Sequence, residues 1–148
     1  STFRDNQTRA IMNNGNLTVR NSLFQDNAGY SGSGILNGAT RANLTVENST
    51  FRGNTATGSG GAIYNAGVAT VSYSTFQNNR SGQDGGAISS YGFNGRERLT
   101  LEFSIVENNQ AKNGGGIHMS GVPTQVLDSK IRQNTATTAG PDGYGTFI

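Results

Sequence analysis

Ser49-Thr50-Phe51-Arg52-Gly53-Asn54, then Gly60-Gly61-Ala62-Ile63, Ala69-Thr70-Val71 and Ser74-Thr75-Phe76-Gln77-Asn78-Asn79, is the stretch that decides the fold. It closes on the pattern with which it opens: serine, any residue, phenylalanine, any two residues, asparagine. The same hexapeptide stands at Ser1–Asn6 and Ser22–Asn27. Weaker copies, with an aliphatic residue in place of the ring, stand at Ser104–Asn109 and Ser129–Asn134. The asparagines Asn6, Asn27, Asn54, Asn79, Asn109 and Asn134 therefore recur about every 26 residues, a period that belongs to repeat architectures.

Each interval holds two further apolar beats. One is Gly60–Ile63, Gly85–Ile88 and Gly114–Ile117, shortened to Gly34-Ile35 and Ala10-Ile11 in the first two repeats. The other is Leu17-Thr18-Val19, Leu44-Thr45-Val46, Ala69-Thr70-Val71, Leu99-Thr100-Leu101 and Thr124-Gln125-Val126. Alternation over three to five positions, broken by Gly, Asn or Ser, excludes helices and predicts three short strands per repeat. A sandwich gives each strand a different environment, whereas here every third strand carries the same residues. An all-β solenoid of about six three-strand coils satisfies that pattern. With parallel strands about 4.8 Å apart, such coils make a rod of roughly 28 Å.

The solenoid also accounts for the composition. Of 148 residues only 32% are hydrophobic, and 22 are glycine. A globular core normally draws on about 45–50% apolar residues. A narrow coil needs far fewer, because Phe3, Phe24, Phe51 and Phe76 stack in one column and Ile11, Ile35, Ile63, Ile88 and Ile117 in another. The absence of cysteine excludes disulfides, thiolate metal sites and thiol chemistry. No apolar run approaches the roughly 20 residues that span a bilayer, so this segment is not expected to insert in a membrane. Ser1–Asn21 lacks the layout of a signal peptide, which places any export signal outside the segment. The 11 basic residues are scattered among 9 acidic ones, and nucleic acid is not an expected partner.

The paired tetrapeptides Gly-Gly-Ala-Ile, at Gly60–Ile63 and Gly85–Ile88, and Phe-x-x-Asn, at Phe3–Asn6, Phe24–Asn27, Phe51–Asn54 and Phe76–Asn79, carry a resemblance. The whole chain resembles right-handed single-stranded parallel β-helices of the pectin-lyase-like superfamily, and within it the polymorphic outer membrane protein repeats of autotransported surface proteins. The resemblance implies a bacterial surface or secreted protein. It leaves activity open, since the fold serves adhesins, polysaccharide lyases and hydrolases alike.

Function needs a site. The asparagine column reads first as a ladder whose amides bond to one another and to turn backbone, rather than as a glycan- or ion-binding stripe. The glycine pairs lack the Lys-Ser/Thr and helix of a phosphate loop and read as turns with φ > 0. The corner column Asn21, Asn48, Tyr73, Phe103 and Asp128 is expected to stack its two rings. The nine carboxylates form no paired column for glycosidase chemistry and no calcium set, so neither catalytic residues nor a metal or cofactor is expected. Arg96 and Arg98, in the long insertion Tyr91–Arg98, read as solvated loop charge. Thr18, Thr45, Thr70 and Thr100 could suggest ice binding, but the neighbouring column of Arg20, Glu47, Ser72 and Glu102 would break a hydroxyl lattice.

The best candidate contact surface is the outward column Met12, Leu36, Tyr64, Ser89 and His118, bordered by Tyr91 and Phe93. It is expected to be an exposed strip able to receive a sugar ring or a partner chain. The sequence thus favours a non-enzymatic extracellular or cell-surface rod: a stalk, adhesin or self-associating fibre component. The alternative is a carbohydrate-active β-helix. Expected partners are further copies or repeats stacked end to end, or a host or matrix glycan or protein. No polar cap is legible at either end, and the final Gly143–Ile148 is expected to fall within the sixth coil.

Overall fold

A computed structural model describes residues 1–145, and the expectation for Thr146–Ile148 lies outside the described residues. The hexapeptide strands Thr2–Arg4, Leu23–Gln25, Thr50–Arg52, Thr75–Gln77, Ile105–Glu107 and Lys130–Arg132 pair in that order as a six-stranded parallel sheet. The glycine-led strands Ile11–Asn13, Ile35–Asn37, Ile63–Asn65, Ile88–Tyr91, Ile117–Ser120 and Gly143–Tyr144 form a second. Asn16–Arg20, Asn43–Glu47, Val68–Ser72, Arg98–Glu102 and Thr124–Leu127 form a third sheet of five strands. Every pairing joins one coil to the next, as the repeat requires.

One expectation is corrected. The second to fifth coils each carry four short strands rather than three, because the linker between ladder asparagine and glycine pair also pairs coil to coil. Its strands, Ala28–Gly29, Thr55–Ala56, Arg80–Ser81, Gln110–Asn113 and Thr135–Ala139, make a fourth parallel sheet. These strands begin as pairs of small or polar residues, too short to show alternation, so hydropathy cannot reveal them.

Both apolar columns form. Phe3, Phe24, Phe51 and Phe76 stack with centroids 4.7, 4.5 and 4.8 Å apart and planes within 13°. Val106 and Ile131 continue the column in register. The isoleucines Ile11, Ile35, Ile63, Ile88 and Ile117 align in the second sheet. Burial is complete in the middle of the rod, while Phe3, Ile11, Leu17, Val126 and Ile131 are only partly covered.

Three polar ladders join the coils. In the first, each asparagine donates from Nδ2 to Oδ1 of the next, from Asn6 to Asn27 at 2.6 Å and onward through Asn54, Asn79, Asn109 and Asn134 at 2.9–3.0 Å. The same Oδ1 accepts the preceding backbone N–H, and Nδ2 also reaches back to a carbonyl such as that of Phe51. The last rung donates to Oδ1 of Asp142 at 3.1 Å, a polar ending that the sequence did not reveal. A second ladder runs from Asn13 through Asn37 and Asn65 to Ser90, each step 2.8 Å. In the third, the serines that open the hexapeptides from Ser22 on donate to a carbonyl two residues back, and from Ser49 on each accepts the N–H of the serine one coil earlier. These contacts satisfy backbone groups that a buried turn would otherwise orphan.

The corners are where the chain adopts φ > 0. Gly60, Gly85 and Gly114 do so, as expected, at φ 69°, 66° and 59°. Their partners Gly61, Gly86 and Gly115 are glycine for another reason. A Cβ at Gly86 would fall on the Gly115 carbonyl oxygen and within 2.6 Å of the Gln110 nitrogen, both immovable backbone.

Candidate functional site

The outer face of the second sheet aligns Met12, Leu36, Tyr64, Ser89, His118 and Tyr144 in register. Ser89 is the small member of this column. Tyr91, two residues on along the same strand and so on the same face, lays its ring over it. The result is one aromatic run along the rod. Tyr64 and Tyr91 lie 5.6 Å apart, Tyr91 and His118 5.4 Å, and His118 and Tyr144 5.3 Å.

The expectation of an exposed strip is therefore corrected. His118 is only 6% exposed and Ser89 is wholly buried, because the neighbouring rings cover them. Met12 and Phe93 are exposed, Leu36, Tyr64 and Tyr91 half-buried. Phe93 stands outside the stacked run. The Tyr64–Tyr91 and His118–Tyr144 pairs stack face to face, Tyr91 and His118 are tilted by 39°, and the Tyr91 hydroxyl turns to Asp84, so the ring faces are used on one another. A sugar cannot lie flat on the middle of such a run.

Asp84 organises the polar side of the cluster. One of its carboxylate oxygens accepts the Tyr91 hydroxyl, and the other accepts Asn113 Nδ2 at 2.8 Å. Burial, then the hydrogen bond and negative charge of Asp84, push the Tyr91 phenol up to about 12, so it stays a donor at neutral pH. Burial likewise raises Tyr64. Burial holds His118 below its ordinary 6.5, against the opposing pull of Asp84. His118 Nδ1 and Ser89 Oγ are buried and find no hydrogen-bond partner among the described residues.

This geometry makes a pH prediction. The unfolded chain takes up a proton on His118 near pH 6.5 and the folded chain does so only lower, so stability should be full above that value and fall as pH drops through it. Glu107, held below the usual carboxylate range by Gln77 and Arg132, titrates beneath this window. Thermal unfolding at pH 5 and pH 7.5 should show a loss in the parent that is reduced in His118→Tyr, which keeps a ring in the stack. Equal losses in both would refute the assignment.

Of the remaining acidic groups, Glu102 ends a strand of the third sheet, and the others are engaged elsewhere or stand in the corners. Glu47 pairs with Arg20 at 2.7 Å, and Glu107 with Arg132 at 3.0 Å. Glu97 is buried inside the long insertion, where burial raises it but the backbone amides around Asn94 outweigh that and hold it low. Arg98 bonds the Gly95 carbonyl of the same loop at 3.2 Å. The threonine column Thr18, Thr45, Thr70 and Thr100 is in register, as is the charged column beside it.

Sequence reasoning missed Asp84 and Tyr144. The signal for the first was the residue before each glycine pair, Ser59, Asp84 and Asn113, which forms a column of its own; Asp84 and Asn113 pair as a parallel bridge. For the second it was Gly143-Tyr144 standing in register with Ile117-His118.

Comparison with known families matches all of residues 1–148 to the family described as right handed beta helix region. Comparison with curated proteins and with solved structures finds no match. Parallel coils, stacked aromatic and asparagine columns and a family match over the full length agree, and the chain belongs to the right-handed β-helix family.

Proposed function

We propose that this chain is a non-catalytic, extracellular or cell-surface β-solenoid that serves as a stiff stalk or adhesive rod. The observation that carries the reading is where the repeated polar residues go. The asparagine, serine and second asparagine columns all face neighbouring coils rather than solvent. A sequence selected to present chemistry would be expected to repeat or cluster reactive groups on an outer face. This one repeats groups that hold one coil to the next. Adhesion would act through outer columns and corners, where side chains vary from coil to coil while the backbone stays fixed.

The alternative, a carbohydrate-active helix, draws support from one cluster, Asp84, Tyr91 and His118. A panel of acidic and neutral polysaccharides separates the two readings. The structural reading expects no new reducing or unsaturated ends. Release that disappears in Asp84→Asn would replace it with the enzymatic one.

A further inference from the structure

At the corner between the third and first sheets, one residue per coil adopts the left-handed conformation: Asn21, Asn48, Tyr73, Phe103 and Asp128, at φ between 45° and 49°. Asparagine and aspartate tolerate this conformation, whereas a bulky ring there is an outlier. The conformation does not carry the two rings into the core. Tyr73 is 60% exposed and Phe103 49% exposed, and they stack on each other 5.1 Å apart with planes 8° from parallel. Strain accepted to hold two rings in solvent points to contact rather than packing.

The surroundings specify the contact. The column places Asp128 one coil beyond Phe103, since the Phe103 N–H bonds the Leu127 carbonyl. Asp128 therefore occupies the next layer of this corner, about 4.8 Å along the axis by coil spacing, and its side chain is shorter than the Phe103 ring. Glu102 immediately precedes Phe103. Among the described residues neither the Glu102 nor the Asp128 carboxylate takes part in an ion pair or hydrogen bond, although exposed Lys130 stands two residues beyond Asp128. An open aromatic face beside two unneutralised carboxylates is complementary to a cation. A guanidinium suits it better than an ammonium, because a planar ion can lie on the ring and direct N–H groups in its own plane to a carboxylate.

We infer that the Tyr73–Phe103 corner is a docking site for an arginine side chain of a partner protein. It is separate from the Asp84 cluster and independent of whether the rod is catalytic.

The test is a titration of the folded chain with capped tetra-arginine and tetra-lysine peptides, followed by NMR of the aromatic side chains. Tetra-arginine should give saturable shifts centred on Tyr73 and Phe103 and bind at least fivefold tighter than tetra-lysine. Phe103→Asn installs the residue this corner uses at Asn21 and Asn48. It should leave the melting temperature unchanged or higher while weakening tetra-arginine binding at least tenfold. Asp128→Asn should weaken it comparably. Equal binding of the two peptides, shifts elsewhere, or full binding by Phe103→Asn would overturn the assignment. So would a lower melting temperature in Phe103→Asn, which would make the ring a packing element.

Discussion

Phe51→Ala is expected to lower the unfolding free energy by about 4–5 kcal/mol, measured by urea denaturation. Removing a buried phenylalanine side chain costs about 3–5 kcal/mol through lost transfer energy and the cavity left behind. Phe51 belongs at the upper end for two reasons. It is wholly buried, and it is the centre of a stack, with Phe24 4.5 Å away on one side and Phe76 4.8 Å on the other. Backbone hydrogen bonds on both sides fix the coil spacing, so the neighbouring rings cannot close the gap. Phe3→Ala is the control. Phe3 is half-buried and has one ring neighbour, so its loss should cost about half as much or less. Similar losses at the two positions would show that coil spacing is compliant and that the column is not a rigid stack.

Asn79→Ala should lower stability by about 3–4 kcal/mol in the same measurement. The Asn79 amide donates to Asn109 Oδ1 at 3.0 Å and to the Phe51 carbonyl at 3.0 Å, and its Oδ1 accepts the Asn54 amide and backbone N–H. Alanine removes these bonds and strands buried partners in a place water cannot readily enter, at about 1–3 kcal/mol for each group left unsatisfied. Asp is the informative second substitution. It keeps the acceptor toward Asn54 but replaces the donor with an oxygen facing the Asn109 oxygen. Asn79→Asp should therefore be at least as damaging as alanine at neutral pH and recover in acid as the carboxyl protonates. A loss below about 1 kcal/mol for alanine would mean that the ladder is ornamental rather than structural.

Much of this architecture was legible because a solenoid writes each structural position once per coil. Phe51, Asn54 and Ile63 take their meaning from equivalents about 26 residues away. The structure sets those equivalents beside one another, Phe51 against Phe24 and Phe76, Ile63 against Ile35 and Ile88. The fourth sheet escaped notice because its strands begin as pairs such as Thr55-Ala56, which leave no periodic signal. The second asparagine ladder was hidden for another reason. Asn13, Asn37 and Asn65 follow the isoleucine column at two residues' distance and point inward with it, yet the fourth rung is Ser90.

The candidate site was less legible. Tyr64 and His118 were placed on the correct face by alternation, but their burial depends on Tyr91 and Tyr144, whose rings come from neighbouring coils. Tyr91 leaves its own column to fill the space above Ser89, and only three dimensions show that. Asp84 lies outside any apolar beat and gains its role through partners in its own coil and the next, Tyr91 and Asn113. Repetition reveals what every coil shares. It is silent about residues that matter because one coil differs from the rest.

The central claim is that the recurring asparagines hold coil to coil through bonds sheltered from water. Side-chain amide hydrogen exchange, resolved by NMR for all six ladder asparagines, tests it most directly. The account predicts that Asn54, Asn79 and Asn109 exchange only through unfolding of the rod, with protection equal to that of the most stable backbone amides, and that Asn6, only partly buried in this chain, exchanges fastest. Fast, uniform exchange at all six would contradict it.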